Sequence, residues 1–328
     1  MTPQIAVQLM PKDIQNKLFP MDLRPQGHDI ITFWLFNTMV KSRLHFDKNP
    51  WKHTAISGFV TLQGEKMSKS KGNVIRPQEV MDKFGADATR YWAASSKLGE
   101  DFDYQEKDVV TGKKFITKIL NAANFVFMNL QYQKEQPKLH ETDRLFISQL
   151  NNLIKEATEA FEDYNYSKAK ISADKFFWIT FADNYLEIVK NRVYNGTKKE
   201  KASAYWTLYQ AFLAILKLMA PITPYITEEI YSQHFKSHEK AKSIHIESWP
   251  TEIKIKSQKD DNKIWTKMIE VISHVRQEKS KAQKSMKAEI ILTIPKDDQK
   301  ILKLILEDIK AVTSAKELRE GSLGVVFQ

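Results

Sequence analysis

Two periodicities divide the chain. From Asp108 onward apolar residues recur at helical spacing: Ile116, Ile119, Leu120, Ala123, Phe127 and Leu130 follow the i, i+3, i+4, i+7 series that lines one helix face. Further helical runs are expected at Thr142–Glu162, Ser167–Tyr194, Glu200–Met219 and Pro224–Phe235, with short joints such as Asn195-Gly196, and helices joined this way form a bundle. The region before residue 108 mixes its signals. It has an apolar patch from Asp29 to Val40, an alternating run from Thr54 to Thr61, a polar loop and then a helix. Pro77 suits the first turn of that helix, and Gly85 can stop it in a left-handed conformation. This order reads as α/β. After Trp249-Pro250 a polar linker, 251–262, leads to a small α+β unit: helix Lys263–Lys284, strand Ala288–Ile294, helix Asp297–Val312 and strand Gly324–Gln328. A mainly α chain with divisions at 1–107, 108–250 and 251–328 is expected.

Composition narrows the class. There is no cysteine, which excludes disulfides, thiolate metal sites and cysteine nucleophiles and fits a reducing cytoplasm. The longest apolar stretch, Ala211–Ile222, is broken by Lys217 and Pro221 and is too short to span a bilayer. The N-terminal residues lack the basic start and cleavage site of a secretory signal. Fifty Lys and Arg against forty Asp and Glu leave a net charge of +10, which favours a polyanionic partner. Residues 1–100 carry +5 and residues 251–328 carry +4, so the excess sits toward the two ends.

The string Gly64-Glu65-Lys66-Met67-Ser68-Lys69-Ser70-Lys71-Gly72-Asn73 concentrates the chemistry. Lysine ammonium groups neutralise phosphate oxygens, serine hydroxyls and backbone N–H groups donate to them, and glycine permits close approach. The spacing is not that of a Walker loop. A solvated basic loop would account for three lysines, but not for the whole string. It resembles the KMSKS signature of class I aminoacyl-tRNA synthetases, Gly27-His28-Asp29 resembles their upstream G-x-[DE] element, and Ser57-Gly58-Phe59-Val60 resembles the strand leading into the loop. Leu23–Ile30 followed by Trp34 is most similar to the valyl members of that class, in their archaeal-type form, with the isoleucyl and leucyl enzymes as near relatives.

The resemblance implies a chain that is mainly α: the C-terminal part of an α/β nucleotide-binding fold, then an α-helical anticodon-binding bundle and a small α+β unit. Lys66 and Lys69 would stabilise the departing pyrophosphate. Met67, Ser68 and Ser70 would complete the ATP loop, Asp29 would accept the ribose hydroxyls, Gly27 and Gly58 would admit the nucleotide, and the backbone of Val60 would face the base. Ile30 would line the amino-acid pocket, where one methylene is worth about 1–3 kcal/mol. ATP with Mg2+ would enter as substrate, so no resident metal is expected. His234 and His238 stand four residues apart without an evident third ligand. The implied partners are valine and a valine tRNA, bound by a cytoplasmic monomer.

Trp178–Lys190 and Ala220–Ile230 both resemble signatures of the anticodon-binding domain. Their physics is largely structural: Thr223 can cap a helix opened by Pro224, Glu228 and Glu229 suit its early turns, and Trp178, Phe181, Tyr185 and Val189 read as core. Candidate RNA contacts are Arg192 and Tyr194 at one helix end, Tyr164 and Tyr166 at another, and Arg276, Lys279 and Lys284 in the basic run from Arg276 to Lys287; each also reads as packing or as solvated surface. The sequence departs from the family in lacking a His-x-Gly-His element and the large editing insertion, with Thr2-Pro3-Gln4 resembling the point of re-entry after that insertion. The carboxy-terminal part of a longer synthetase is expected; an RNA-binding paralogue without turnover, or the same part of an isoleucyl or leucyl enzyme, stays open.

Overall fold

A computed structural model describes residues 7–327; Thr2-Pro3-Gln4 and Gln328 lie outside the described residues. The described residues are mostly helical with three small sheets. The chain divides into two compact units, one running up to Lys114 and including Ala160–Ser167, the other comprising Phe115–Glu159 and Lys168 onward.

In the first unit, helix α1 (Lys12–Leu18) precedes strand β1 (Met21–Gly27), which pairs in parallel with β2 (Trp51–Ser57). A parallel pair needs a crossover, and here it runs through a 3-10 turn (His28–Ile30), a π turn (Ile31–Leu35) and α2 (Phe36–Phe46). The register sets Gly27 beside Ser57, so two segments singled out in the sequence end at the same edge of the pair. Strand β3 (Val60–Leu62) lies between antiparallel β4 (Glu65–Lys66) and parallel β5 (Phe102–Asp103), the latter reached through α3 (Pro77–Phe84) and α4 (Ala86–Ala93). Pro77 occupies the first turn of α3 as expected. Gly85 has φ +91° but an extended ψ of 155°, so it turns the chain from α3 into α4 instead of forming a left-handed cap.

The second unit holds the aromatic core. Helix α5 (Glu106–Asn129) forms where the period predicts it, but with its buried face rotated: Phe115, Ile119, Ala122, Ala123 and Val126 are buried while Leu120 is 37% exposed. Both residue sets fit a helix, and packing chose between them. Helix α6 (Glu141–Glu162) is followed by one continuous helical stretch made of α7 (Tyr166–Lys175), a π-helix (Phe176–Tyr185) and α8 (Leu186–Asn195). Phe146 stacks on Tyr185 at 3.8 Å and Phe181 on Phe212 at 5.7 Å, so Phe181 and Tyr185 are core, as is Val189, whereas Trp178 is only partly buried and lies under the Lys118 ammonium at 5.3 Å. A capping box of Thr197 and Glu200 starts α9 (Lys198–Met219) two residues earlier than the apolar period.

Pro224 opens α10 (Pro224–His234) as predicted, but Thr223 donates to the Met219 carbonyl instead of capping. Glu228 accepts from Ser243 Oγ and the Ile244 N–H, at 2.7 and 3.0 Å, fastening the chain that follows the helix.

Beyond the linker, α11 (Asp261–Lys281) packs with a sheet in which β6 (Ile290–Ile294) lies between parallel β7 (Ala315–Glu320) and antiparallel β8 (Gly324–Phe327). The single helix expected at Asp297–Val312 is two, α12 (Lys296–Leu302) and α13 (Leu306–Thr313), because the break lets Leu302, Ile305 and Ile309 all turn inward. Strand β7, Ala-Lys-Glu-Leu-Arg-Glu, was not expected: its residues favour helices, and pairing with β6 overrides that preference.

Candidate functional site

Gln63 and Gly64, with φ of +56° and +78°, form the two-residue turn between β3 and β4, a turn that needs positive φ at both positions. Gly64 N–H and Thr61 Oγ1 both donate to Asp103 Oδ1, at 3.0 and 2.9 Å, and the Gly64 N–H is the main reason that carboxyl sits below its ordinary pKa. The base of the loop is thereby tied to β5.

Past Lys66 the chain makes a 3-10 turn, Lys69–Lys71, with Ser68 Oγ accepting the Lys71 N–H at 3.2 Å and Gly72 closing it at φ +69°. Asn73 folds back over the turn: its Oδ1 accepts the Ser68 N–H at 2.8 Å and its Nδ2 donates to the Lys66 carbonyl at 3.3 Å. Ser68 and Ser70 hydroxyls meet at 3.1 Å. Met67 is half-buried, while Lys69 and Ser70 sit on the exposed outer turn.

The three lysines differ in their surroundings. Lys71 Nζ is paired with Glu65 at 3.1 Å. Lys66 Nζ sits 3.7 Å from the centre of the Phe59 ring. Lys69 has no ion-pair partner among the described residues. On the Phe59 ring also lies His28, edge to face at 4.3 Å, so Gly27-His28-Asp29, Ser57–Val60 and Lys66 converge. Asp29 is exposed, Ile30 half-buried and Val60 45% exposed. A Cβ on Gly58 would fall 2.2 Å from the Glu100 carbonyl oxygen, so this glycine is required by a crossing backbone whatever it also admits; on Gly27 it would meet only the Asp29 carboxylate, at 2.7 Å. Along β1, Arg24 stacks on Trp34 at 3.8 Å, and its buried Nε and the buried Oε1 of Gln26 have no hydrogen-bond partner among the described residues. No role for Phe59, Asn73 or Asp103 follows from the sequence, although Asn73 closes the loop string and Phe59 lies within Ser57–Val60.

Two of the candidate RNA contacts, Arg192 and Lys279, face inward, in keeping with the packing reading. Arg192 grips Asp143 with both terminal nitrogens, at 2.8 and 2.6 Å, and reaches Asp308 with Nε at 3.0 Å. Burial alone would raise the Asp143 carboxyl, but Arg192, with Ser203 and Tyr185, outweighs it and holds the pKa below its ordinary value. The Lys279 ammonium, 1% exposed as a residue, donates to the carbonyls of Met286, Ala288 and Thr313 at 2.7, 2.7 and 2.8 Å; burial pushes its pKa down. All three of its protons are used, so none is left for a phosphate. Arg276 donates to Asn184 Oδ1 and the Asp183 carbonyl, serving the π-helix. Lys284 and Tyr194 are exposed, Tyr166 meets Ser96 at 3.2 Å, and Tyr164 has φ +57°. His234 ends α10 and stacks on Phe127, while His238 lies past the helix and stacks on Tyr132. No group of three or more potential ligands that could hold a metal occurs among the described residues. No helix among them is long and apolar enough to cross a membrane.

With this geometry in place, residues 4–105 match the family described as tRNA synthetases class I (I, L, M and V), and residues 143–294 match the anticodon-binding domain of tRNA ligase. Residues 4–105 are thus a segment of class I tRNA synthetase type. The valine–tRNA ligase of Rickettsia rickettsii is 38% identical over 94% of this chain and 39% of its own length. That of Haloarcula marismortui is 44% identical over 72% of this chain and 26% of its own. The chain thus spans about two fifths of the length of the Rickettsia relative. Among solved structures, the ternary complex of Agrobacterium radiobacter K84 agnB2 LeuRS with tRNA and LeuAMS aligns with a TM-score of 0.55 at 22% identity, covering 74% of this chain and 31% of that one, a likeness of fold.

Proposed function

We propose that this chain provides a valine–tRNA ligase with its polyphosphate loop and with the helical surface that receives the anticodon region of a valine tRNA. The observation that carries the reading is the convergence of His28, Phe59 and Lys66, which puts three separate sequence elements at one edge of the β1–β2 pair. Residues 1–107 would be the second half of the nucleotide-binding fold, 108–250 the anticodon-binding bundle and 251–328 an accessory unit, working as a monomer in the cytoplasm. The orphaned Arg24 Nε and Gln26 Oε1 beside Gly27 fit a surface that further polypeptide or substrate completes.

In the reaction, the valine carboxylate attacks the α-phosphorus of ATP and Mg2+-bound pyrophosphate leaves; a terminal ribose hydroxyl of the tRNA then attacks the adenylate carbonyl and AMP leaves. Lys66 and Lys69 would offset the charge on the departing pyrophosphate, an electrostatic role that needs no proton transfer. Asp29 would hold the ribose, Gly27, Gly58 and Val60 the adenine side, Met67, Ser68 and Ser70 the loop's face toward ATP, and Ile30 the valine side chain.

The test is valine-dependent ATP–pyrophosphate exchange. The chain alone is expected to show none, since the His-x-Gly-His element is absent; joined to a segment that carries it, exchange should appear, and Lys69→Ala should then lower it about 100-fold or more. Exchange by the chain alone, or an undiminished rate in the Lys69 variant, would overturn these roles. The RNA half is tested by affinity: a valine tRNA should be preferred over the same RNA with a replaced anticodon loop by about 1–3 kcal/mol per base read.

A further inference from the structure

Phe59 stands out because its position is over-determined while its ring is not part of a closed core. Its N–H donates to Asp101 Oδ1 at 2.7 Å and its carbonyl accepts the Phe102 N–H at 2.8 Å, so the backbone is fixed from two sides. The preceding Gly58 is pressed against the Glu100 backbone, which leaves the segment no room to slide. The ring is half-buried, with the His28 edge on it at 4.3 Å and the Lys66 ammonium at 3.7 Å. Of the loop's lysines, Lys66 is the one held by an aromatic face and not by a carboxylate.

We propose that Phe59 is a positioning residue for Lys66: its ring parks the ammonium beside the loop, and a polyphosphate ligand takes the ammonium off the ring. The inference rests on the polyphosphate reading of the loop. An aromatic face attracts a cation through its quadrupole but offers no lone pair, whereas a phosphate oxygen offers both charge and a hydrogen-bond acceptor. For an exposed pair the second interaction exceeds the first by about tenfold in equilibrium constant, so the ligand wins the exchange. A carboxylate in place of the ring would compete with phosphate through the same chemistry. The ring instead keeps the side chain ordered near its point of use and releases it at small cost.

The experiment uses the full chain with its lysines reductively methylated with 13C, the Lys66 resonance being assigned by its disappearance in Lys66→Met. In the unliganded chain this resonance should be shifted upfield by the ring current. Added inorganic pyrophosphate should move it toward the position of a solvated lysine. Phe59→Leu should abolish the upfield shift and tighten pyrophosphate binding about two- to fivefold, the worth of one exposed cation–aromatic contact; Phe59→Tyr should restore both the shift and the weaker binding. A Lys66 resonance at the solvated position in the unliganded chain overturns the proposal. So does a Phe59→Leu chain, with amide spectrum otherwise intact, that binds pyrophosphate no more tightly than the original. Should Phe59→Leu fail to fold, persistence of the upfield shift at saturating pyrophosphate overturns it with the unaltered chain. If the upfield shift is present but pyrophosphate perturbs no loop lysine, the polyphosphate reading itself falls, and the release step with it.

Discussion

At the scale of single residues, Gly58 and Gly27 separate two reasons for a glycine. A methyl group on Gly58 would sit 2.2 Å from a backbone oxygen, and one on Gly27 2.7 Å from a carboxylate that can swing away. Gly58→Ala is therefore expected to lose about 1–3 kcal/mol of stability, and Gly27→Ala much less, which urea denaturation of the two variants will compare. Asp143 is the second case. It is fully buried against Arg192, so Asp143→Ala leaves both terminal nitrogens of that buried guanidinium unpaired, with only Nε still on Asp308, and should cost about 3–5 kcal/mol. Because the Asp143 pKa is lower folded than unfolded, its stabilisation is complete above the unfolded value of about 4 and fades as pH falls through the lower folded one. Urea midpoints should drop below about pH 4 in the original chain, and Asp143→Asn should flatten that part of the profile. None of this pairing was legible in the sequence. Asp143, Arg192 and Asp308 are far apart along the chain, and nothing in a local pattern marks a charge as buried.

Elements were legible where a local signal and the tertiary need agreed. Pro77 and Pro224 start helices for reasons internal to a few residues, and the helical period around Ile119 found α5, whereas the Thr197–Glu200 box began α9 two residues before the expected Glu200. The period could not say which of two overlapping faces would be buried, and β7 was missed because its Lys, Glu and Arg residues carry no strand signal. The signature loop lies between these cases: its string was readable, but the cross-loop clamp by Asn73 depends on a 3-10 turn that the string does not announce. Replacing Asn73 by Ala removes both bonds and leaves two backbone groups to water. Amide exchange at Ser68 and Lys71 should speed up at least about tenfold, while helix α5 keeps its protection; unchanged exchange at Ser68 would mean that Ser68 Oγ and Gly72 alone hold the turn.

For the whole molecule, the net charge of +10 does not say which of its cations reach solvent. Lys279 and Arg192 count toward that charge, yet their protons are bound to backbone carbonyls and buried carboxylates; Lys284, five positions after Lys279, is in solvent. The proposed RNA partner would feel only the second kind, since binding to phosphates releases counterions in proportion to the contacts made. Two variants of the same charge change should then behave oppositely. Lys279→Met leaves three carbonyls without their donor and should lose about 2–4 kcal/mol of stability, with no change in the slope of log K against log salt for tRNA below its unfolding transition. Lys284→Met should leave the unfolding midpoint within about 0.5 kcal/mol of the original and, if it touches a phosphate, reduce the slope by about one. A reduced slope in the Lys279 variant would show that its ammonium leaves the carbonyls to meet RNA. An unaltered slope in the Lys284 variant would place the RNA on another basic face of the chain.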